Sequence, residues 1–172
     1  MSELEEGGMS SSSWNELART AARAEEASAE LDSLRQLLTF SVAGTPYAVA
    51  VESVREIVRI RPITPIPRTN SHVRGVISLR GEIIQVVDLR LRLGLPAAEI
   101  TRASRIVVIH ADDERVAGIL VDAVDEVLRV TENAILPSAA GDTGTVDSLC
   151  ARGDQFVSLI DLERALDVDA EP

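Results

Sequence analysis

The chain has 172 residues, 45% of them apolar but only 2% aromatic, so a core of ordinary domain size must rest on Val, Ile and Leu, which suit a pleated sheet. The formal net charge is −11, and all 17 basic residues are Arg with no Lys anywhere; this argues against a nucleic-acid or anionic-membrane surface and excludes Schiff-base and phosphate-loop lysine chemistry. A single cysteine, Cys150, leaves no internal disulfide and no cysteine-based metal cluster.

Residues 1–12 are acidic and rich in Gly and Ser, which predicts disorder. Glu3, Glu5 and Glu6 carry the wrong charge for a secretory leader. Ser13 and Glu16 have capping-box spacing, and Leu17, Ala24, Leu31 and Leu38 recur with a heptad period, so a helix is expected to about Arg35. Its apolar stripe is mostly Ala. From Leu37 the pattern changes to short apolar or alternating runs punctuated by Gly and Pro: 37–42, 47–51, 56–60, 76–79, 83–89, 106–110, 116–121, 126–130 and 156–160. These read as strands of a sandwich or barrel. Short helical pieces are expected near 52–55, 89–93, 122–125 and 161–166. Apolar runs such as Ile106–Ile109 fall far short of the ~20 residues of a transmembrane helix, so a soluble, cytoplasmic protein without membrane insertion is expected.

An internal repeat organises these strands. Val51–Ile60 (VESVREIVRI) parallels Val121–Val130 (VDAVDEVLRV), and Pro67 matches Pro137 at the same offset. Arg80-Gly81 then matches Arg152-Gly153, Val87-Asp88-Leu89 matches Ile160-Asp161-Leu162, and Leu38–Val42 resembles Ile106–His110. Two units of this size predict two small barrels built alike. Each would be marginal alone, and packing them through a shared apolar layer relieves that. The expected organisation is 1–35 as acidic start plus helix, 36–167 as one body, and 168–172 as a tail.

Reactive groups are sparse. His72 and His110 are the only histidines, and no G-x-S-x-G turn accompanies them. Gly141-Asp142-Thr143-Gly144 has no second copy to form a carboxylate dyad, and Asp112-Asp113-Glu114 reads as a polar hairpin turn. No enzyme activity, cofactor or metal is expected. A small-barrel nucleic-acid binder is the alternative, opposed by few aromatics and acidic charge. A deep pocket holding two or more of Asp88, Asp122, Asp161 and His110 would favour an enzyme, and no such pocket is expected.

Two blocks, Val51–Ile57 (VESVREI) and Arg74–Arg90 (RGVISLRGEIIQVVDLR), together with Gly118–Leu128 (GILVDAVDEVL) and the stretch from Gly153 to Leu166, closely resemble the CheW family of chemotaxis coupling proteins across about residues 36–167. Ser78 and Gln85 depart from the usual Asn and Pro of that pattern. The resemblance implies a mainly β body of two five-stranded barrels, extended here by an N-terminal helix. It also implies a non-catalytic adaptor joining the chemoreceptor cytoplasmic tip to the regulatory domain of a CheA-type histidine kinase in a receptor array. By position, Arg80 matches the family's functional Arg, Glu56 the Glu able to pair with it, and Val51, Val54 and Gly75 the receptor-binding region. Gly81 would close the turn beside Arg80, and exposed Val side chains would supply apolar contact.

Overall fold

Strands form where the apolar runs predict them, and two sheets result. The computed structural model describes residues 11–111, 115–138 and 144–167. The expected turn at 112–114, the Asp-Thr-Gly sequence at 142–144 (apart from Gly144) and the tail from 168 lie outside those residues. The described chain contains no helix long and apolar enough to cross a membrane. It divides into two units, one up to Leu34 and one from Arg35.

The first unit is helix α1 (Ser11–Asp32). The expected capping box is not its start, because Ser13 already lies inside the helix and Ser11 and Ser12 are helical rather than disordered.

In the second unit the strands are β1 (Leu34–Val42), β2 (Thr45–Ala50), β3 (Val54–Arg59), β4 (Val73–Leu79), β5 (Glu82–Asp88), β6 (Arg105–His110), β7 (Val116–Val121), β8 (Ala123–Thr131), β9 (Ile135–Pro137), β10 (Val146–Arg152) and β11 (Gln155–Ile160). Helix α2 (Leu89–Arg92) follows β5 and α3 (Leu162–Leu166) follows β11, while Val51–Ser53 and Glu132–Ala134 form single 3-10 turns. The five-stranded sheet runs β3-β6-β7-β5-β4, and the six-stranded sheet runs β8-β1-β2-β11-β10-β9.

The repeat is present, but its strands are exchanged. Mapping β1, β2, β3, β4 and β5 onto β6, β7, β8, β10 and β11 converts one strand order into the other, including the parallel pairs β5–β7 and β2–β11. Each sheet therefore takes one hairpin from the opposite half of the sequence. The sixth strand, β9, has a reduced counterpart in the first half. Thr64 makes an isolated bridge to Val76 of β4, where β9 pairs fully with β10. The expected helix at 122–125 is absent; Ala123 opens β8 instead.

Exchange explains why β6 reads as an unbroken apolar run and why 37–40 of β1 is buried on both faces. Ile106 and Val108 point into the five-stranded barrel with Ile77, Leu79, Ile84, Val86 and Leu120. Val107 and Ile109, one residue on, join Leu38, Phe40, Val42, Val49, Leu89, Ile119 and Ile160 in a layer drawn from both sheets. Leu37 faces the interior of the six-stranded barrel with Ala48, Cys150 and Val157. Leu37 thus corresponds to Ile106 and Phe40 to Ile109, so the sequence alignment of 38–42 with 106–110 is one residue out of register. A slip of one residue reverses every side chain on a strand.

The two repeat-related aspartates are helix caps. Asp88 Oδ1 accepts from the Arg90 and Leu91 N–H groups at 3.0 and 3.4 Å, and Asp161 Oδ1 accepts from Arg164 N–H at 3.1 Å. Their own N–H groups donate to His72 O and Thr145 O at 2.7 and 2.9 Å. Such caps satisfy amides that a helix start leaves orphaned.

Candidate docking surfaces

The β4–β5 turn presents Arg80. It is made by Arg80 and Gly81, both at positive φ (51° and 82°), the signature of a two-residue type I′ hairpin. Arg80 holds a left-handed conformation uncommon for a side-chain-bearing residue, and a Cβ added at Gly81 would meet nothing within 4 Å. The Arg80 side chain is 73% exposed, and Nη2 donates to Glu56 Oε2 at 3.2 Å. One N–H of a five-donor fork is thereby engaged, and the guanidinium stays open to solvent.

Glu56 belongs to β3 and Arg80 follows β4, the two opposite edges of the five-stranded sheet. A second pair, Arg55 Nη1 to Glu82 Oε2 at 2.6 Å, ties β3 to β5 beside it. The pairs bring opposite sides of the sheet together at one end of the barrel. On exposed surfaces each contributes ~0.2–1 kcal/mol. Glu56 sits where the β3–β6 register shifts, between Val54 and Glu56.

The six-stranded barrel repeats this arrangement. Arg152 Nη2 pairs with Glu126 Oε1, joining β10 to β8. Arg152 is the repeat mate of Arg80, and Glu126 of Glu56. Exposed apolar residues follow the same relation: Ile57 and Val127, Ile66 and Leu136, Ile83 and Phe156. Ile83 is 69% and Phe156 58% exposed. Each barrel thus carries an ion pair with large unburied apolar side chains beside it in sequence.

The remaining expected site residues sit differently. Val51 and Val54 are half-buried and pack on the shared layer, so they are not the exposed valines expected to supply apolar contact. Gly75 is buried at the register shift of β4, with φ 138°. A Cβ there would lie 2.1 Å from Thr64 O, so glycine is what lets the Thr64 segment lie on the strand edge.

An electrostatic link that sequence reading missed crosses between the sheets. Arg90 of α2 grips Asp122 through Nε to Oδ1 at 2.9 Å and Nη2 to Oδ2 at 2.7 Å. Asp122 Oδ2 also accepts from the Ala43 N–H in the β1–β2 turn at 2.8 Å. Arg90 above all, and then Ala43, hold the Asp122 carboxyl below its usual pKa against the opposing effect of burial. The signal available in sequence was only the Asp after Val121, which reads equally well as a solvated residue.

An open groove of ≈ 780 Å³ runs beside α3 and includes both His110 and Asp161 in its walls. The Asp161 carboxylate is committed to the α3 cap and to Arg164, with Nε to Oδ2 at 3.4 Å. Asp88 is likewise engaged by its cap and by Arg74, at 3.0 Å. Among the described residues, no group of three or more His, Cys, Asp and Glu side chains is placed to hold a metal ion.

A CheW-like domain model matches residues 36–170. The chain is 33% identical over 146 residues to the chemotaxis protein CheW of Bacillus subtilis, spanning 83% of this chain and 93% of that one. It is 39% identical over 104 residues to CheW of Rhizobium meliloti, spanning 60% of this chain and 66% of the relative. Among solved structures, the scaffolding protein TtCheW of Thermoanaerobacter tengcongensis superposes with a TM-score of 0.75 at 33% identity, covering 80% of this chain and 95% of that one.

Proposed function

Given that the chain belongs to the CheW-like family, we propose that it is a non-catalytic adaptor coupling chemoreceptors to a CheA-type histidine kinase. Coupling two proteins requires two surfaces on one body. The observation that carries this reading is the duplicated patch: Arg80–Glu56 with Ile57 and Ile83 on one barrel, Arg152–Glu126 with Val127 and Phe156 on the other. Both sheets contribute to one apolar layer, so the patches are held on a common frame.

The chemistry of each patch suits protein contact. An exposed guanidinium offers several donors in a rigid plane, and Ile or Phe beside it supplies desolvated contact area. Arg is among the residues enriched in interface hot spots. The helical receptor tip would supply apolar ridges and carboxylates for the first barrel, with Arg80, Glu56 and Gly81 at the contact and Val51, Val54 and Gly75 shaping the frame behind it. The kinase regulatory domain would engage the remaining faces. The test is co-purification of the chain with a receptor cytoplasmic fragment and with the kinase regulatory domain from the same source. The proposal expects capture of both, together and separately. Capture of neither overturns it.

A further inference from the structure

Helix α1 carries a self-complementary face. Trp14, Leu17, Ala21, Ala24, Ser28 and Leu31 lie within about 100° of one another at 3.6 residues per turn. Trp14, Leu17 and Leu31 are 61%, 51% and 67% exposed. Sizes along the stripe are arranged about a midpoint between Ala22 and Arg23: the two alanines flank the centre, and the bulky residues stand at the ends.

From this arrangement we infer that α1 pairs antiparallel with α1 of a second copy of the chain. Inversion about the midpoint places Trp14 against Leu31 of the other copy, Leu17 against Ser28, and Ala21 against Ala24. Small residues at the centre let the helices approach closely, while a bulky pair closes each end. The same copy must offer the same patch to its twin, which is the condition for a two-fold interface. A parallel pair would instead crowd Trp14 against Trp14 at one end.

Charge selects the same direction. Before the midpoint the helix sequence carries Glu16 and Arg19, and after it Arg23, Glu25, Glu26, Glu30 and Asp32, so the second half is the acidic one. Packed helices lie roughly 8–10 Å apart, about one Debye length at physiological salt. The antiparallel arrangement sets the acidic half of one copy beside the neutral half of the other, and the parallel one sets the two acidic halves together. The helix dipoles also oppose in the antiparallel pair.

Trp14 is the only tryptophan of the chain, so its fluorescence reports this contact directly. Sedimentation of the full chain from low to high micromolar concentration is expected to show the apparent mass rising towards twice 18.5 kDa. Trp14 emission should shift to shorter wavelength over the same range. The double variant Ala21→Glu/Ala24→Glu keeps good helix formers in place and should abolish both changes with the far-ultraviolet circular dichroism unaltered. Orientation is read by oxidation: Leu17→Cys chains mixed with Ser28→Cys chains should cross-link, whereas Ser28→Cys chains alone should not. In the antiparallel register the two Ser28 positions are about 16 Å apart along the axis, beyond the ~7 Å that a disulfide spans between Cα atoms. A monomer throughout, a dimer that survives the double variant, or rapid self-cross-linking of Ser28→Cys would each overturn the inference.

Discussion

Replacing Arg80 with Ala separates a docking role from a structural one. The side chain is 73% exposed and makes one ion pair, to Glu56 at 3.2 Å. An exposed pair of this kind contributes ~0.2–1 kcal/mol. In a protein of 150–250 residues, 1 kcal/mol moves Tm by about 2–4 °C, so Arg80→Ala should lower Tm by no more than that. An arginine at the centre of an interface carries ~2 kcal/mol or more, about a thirtyfold loss in affinity. Titration calorimetry against a receptor fragment and the kinase regulatory domain, alongside calorimetric unfolding of the free variant, measures both quantities. A large loss of affinity for at least one partner with nearly unchanged Tm supports docking. A drop in Tm of ten degrees or so, or unaltered affinity for both partners, refutes the reasoning.

Three further outcomes follow from the geometry. Gly75→Ala should destabilise by ~3 kcal/mol or more, because a Cβ would strike Thr64 O and φ of 138° is costly for Ala, seen as an earlier denaturant midpoint. Phe40→Ala, at a fully buried position in the layer shared by both sheets, should cost ~3–5 kcal/mol and lower a single unfolding transition; two separate transitions would show that the barrels are independent. His72 is fully buried, and burial together with the Arg92 cation lowers its pKa against the upward pull of Asp167. The folded state therefore disfavours its protonation, so stability is complete above the unfolded pKa of ~6.5 and declines as pH falls through that value; denaturant midpoints measured at pH values on either side should show this slope, and His72→Leu should flatten it.

Much of this fold is written in the apolar pattern, and the limits of that pattern are physical. Runs such as 106–110 and 116–121 announce strands because both faces of those segments are buried and few polar residues interrupt them. β10 is hard to read because Val146–Arg152 is buried only at Cys150, shows no regular alternation and includes Asp147, Ser148 and Arg152. β9 has three residues and ends in Pro137, too little to register as a period. The repeat was visible, yet repetition says which segments are alike and nothing about which of them pair. The hairpin exchange became evident only through the ladders β5–β7 and β2–β11. Likewise the sequence marked Arg80 and Glu56, and the structure joined them. Their mates Arg152 and Glu126 were within the repeat, but the ion pair they form depends on β8 and β10 meeting across the second barrel. Ile83 and Phe156 look in sequence like any other strand residue; only their exposure distinguishes them.

Docking surfaces on two barrels of one frame should leave a distinct footprint in solution. Amide chemical shifts of the full chain, followed during titration with the kinase regulatory domain and then with the receptor fragment, test it most directly. The two partners should perturb resonances around Ile57, Arg80 and Ile83 and around Val127, Arg152 and Phe156, while the layer around Phe40 and Val107 stays in place. Shifts confined to the groove beside α3, or none with either partner, would contradict it.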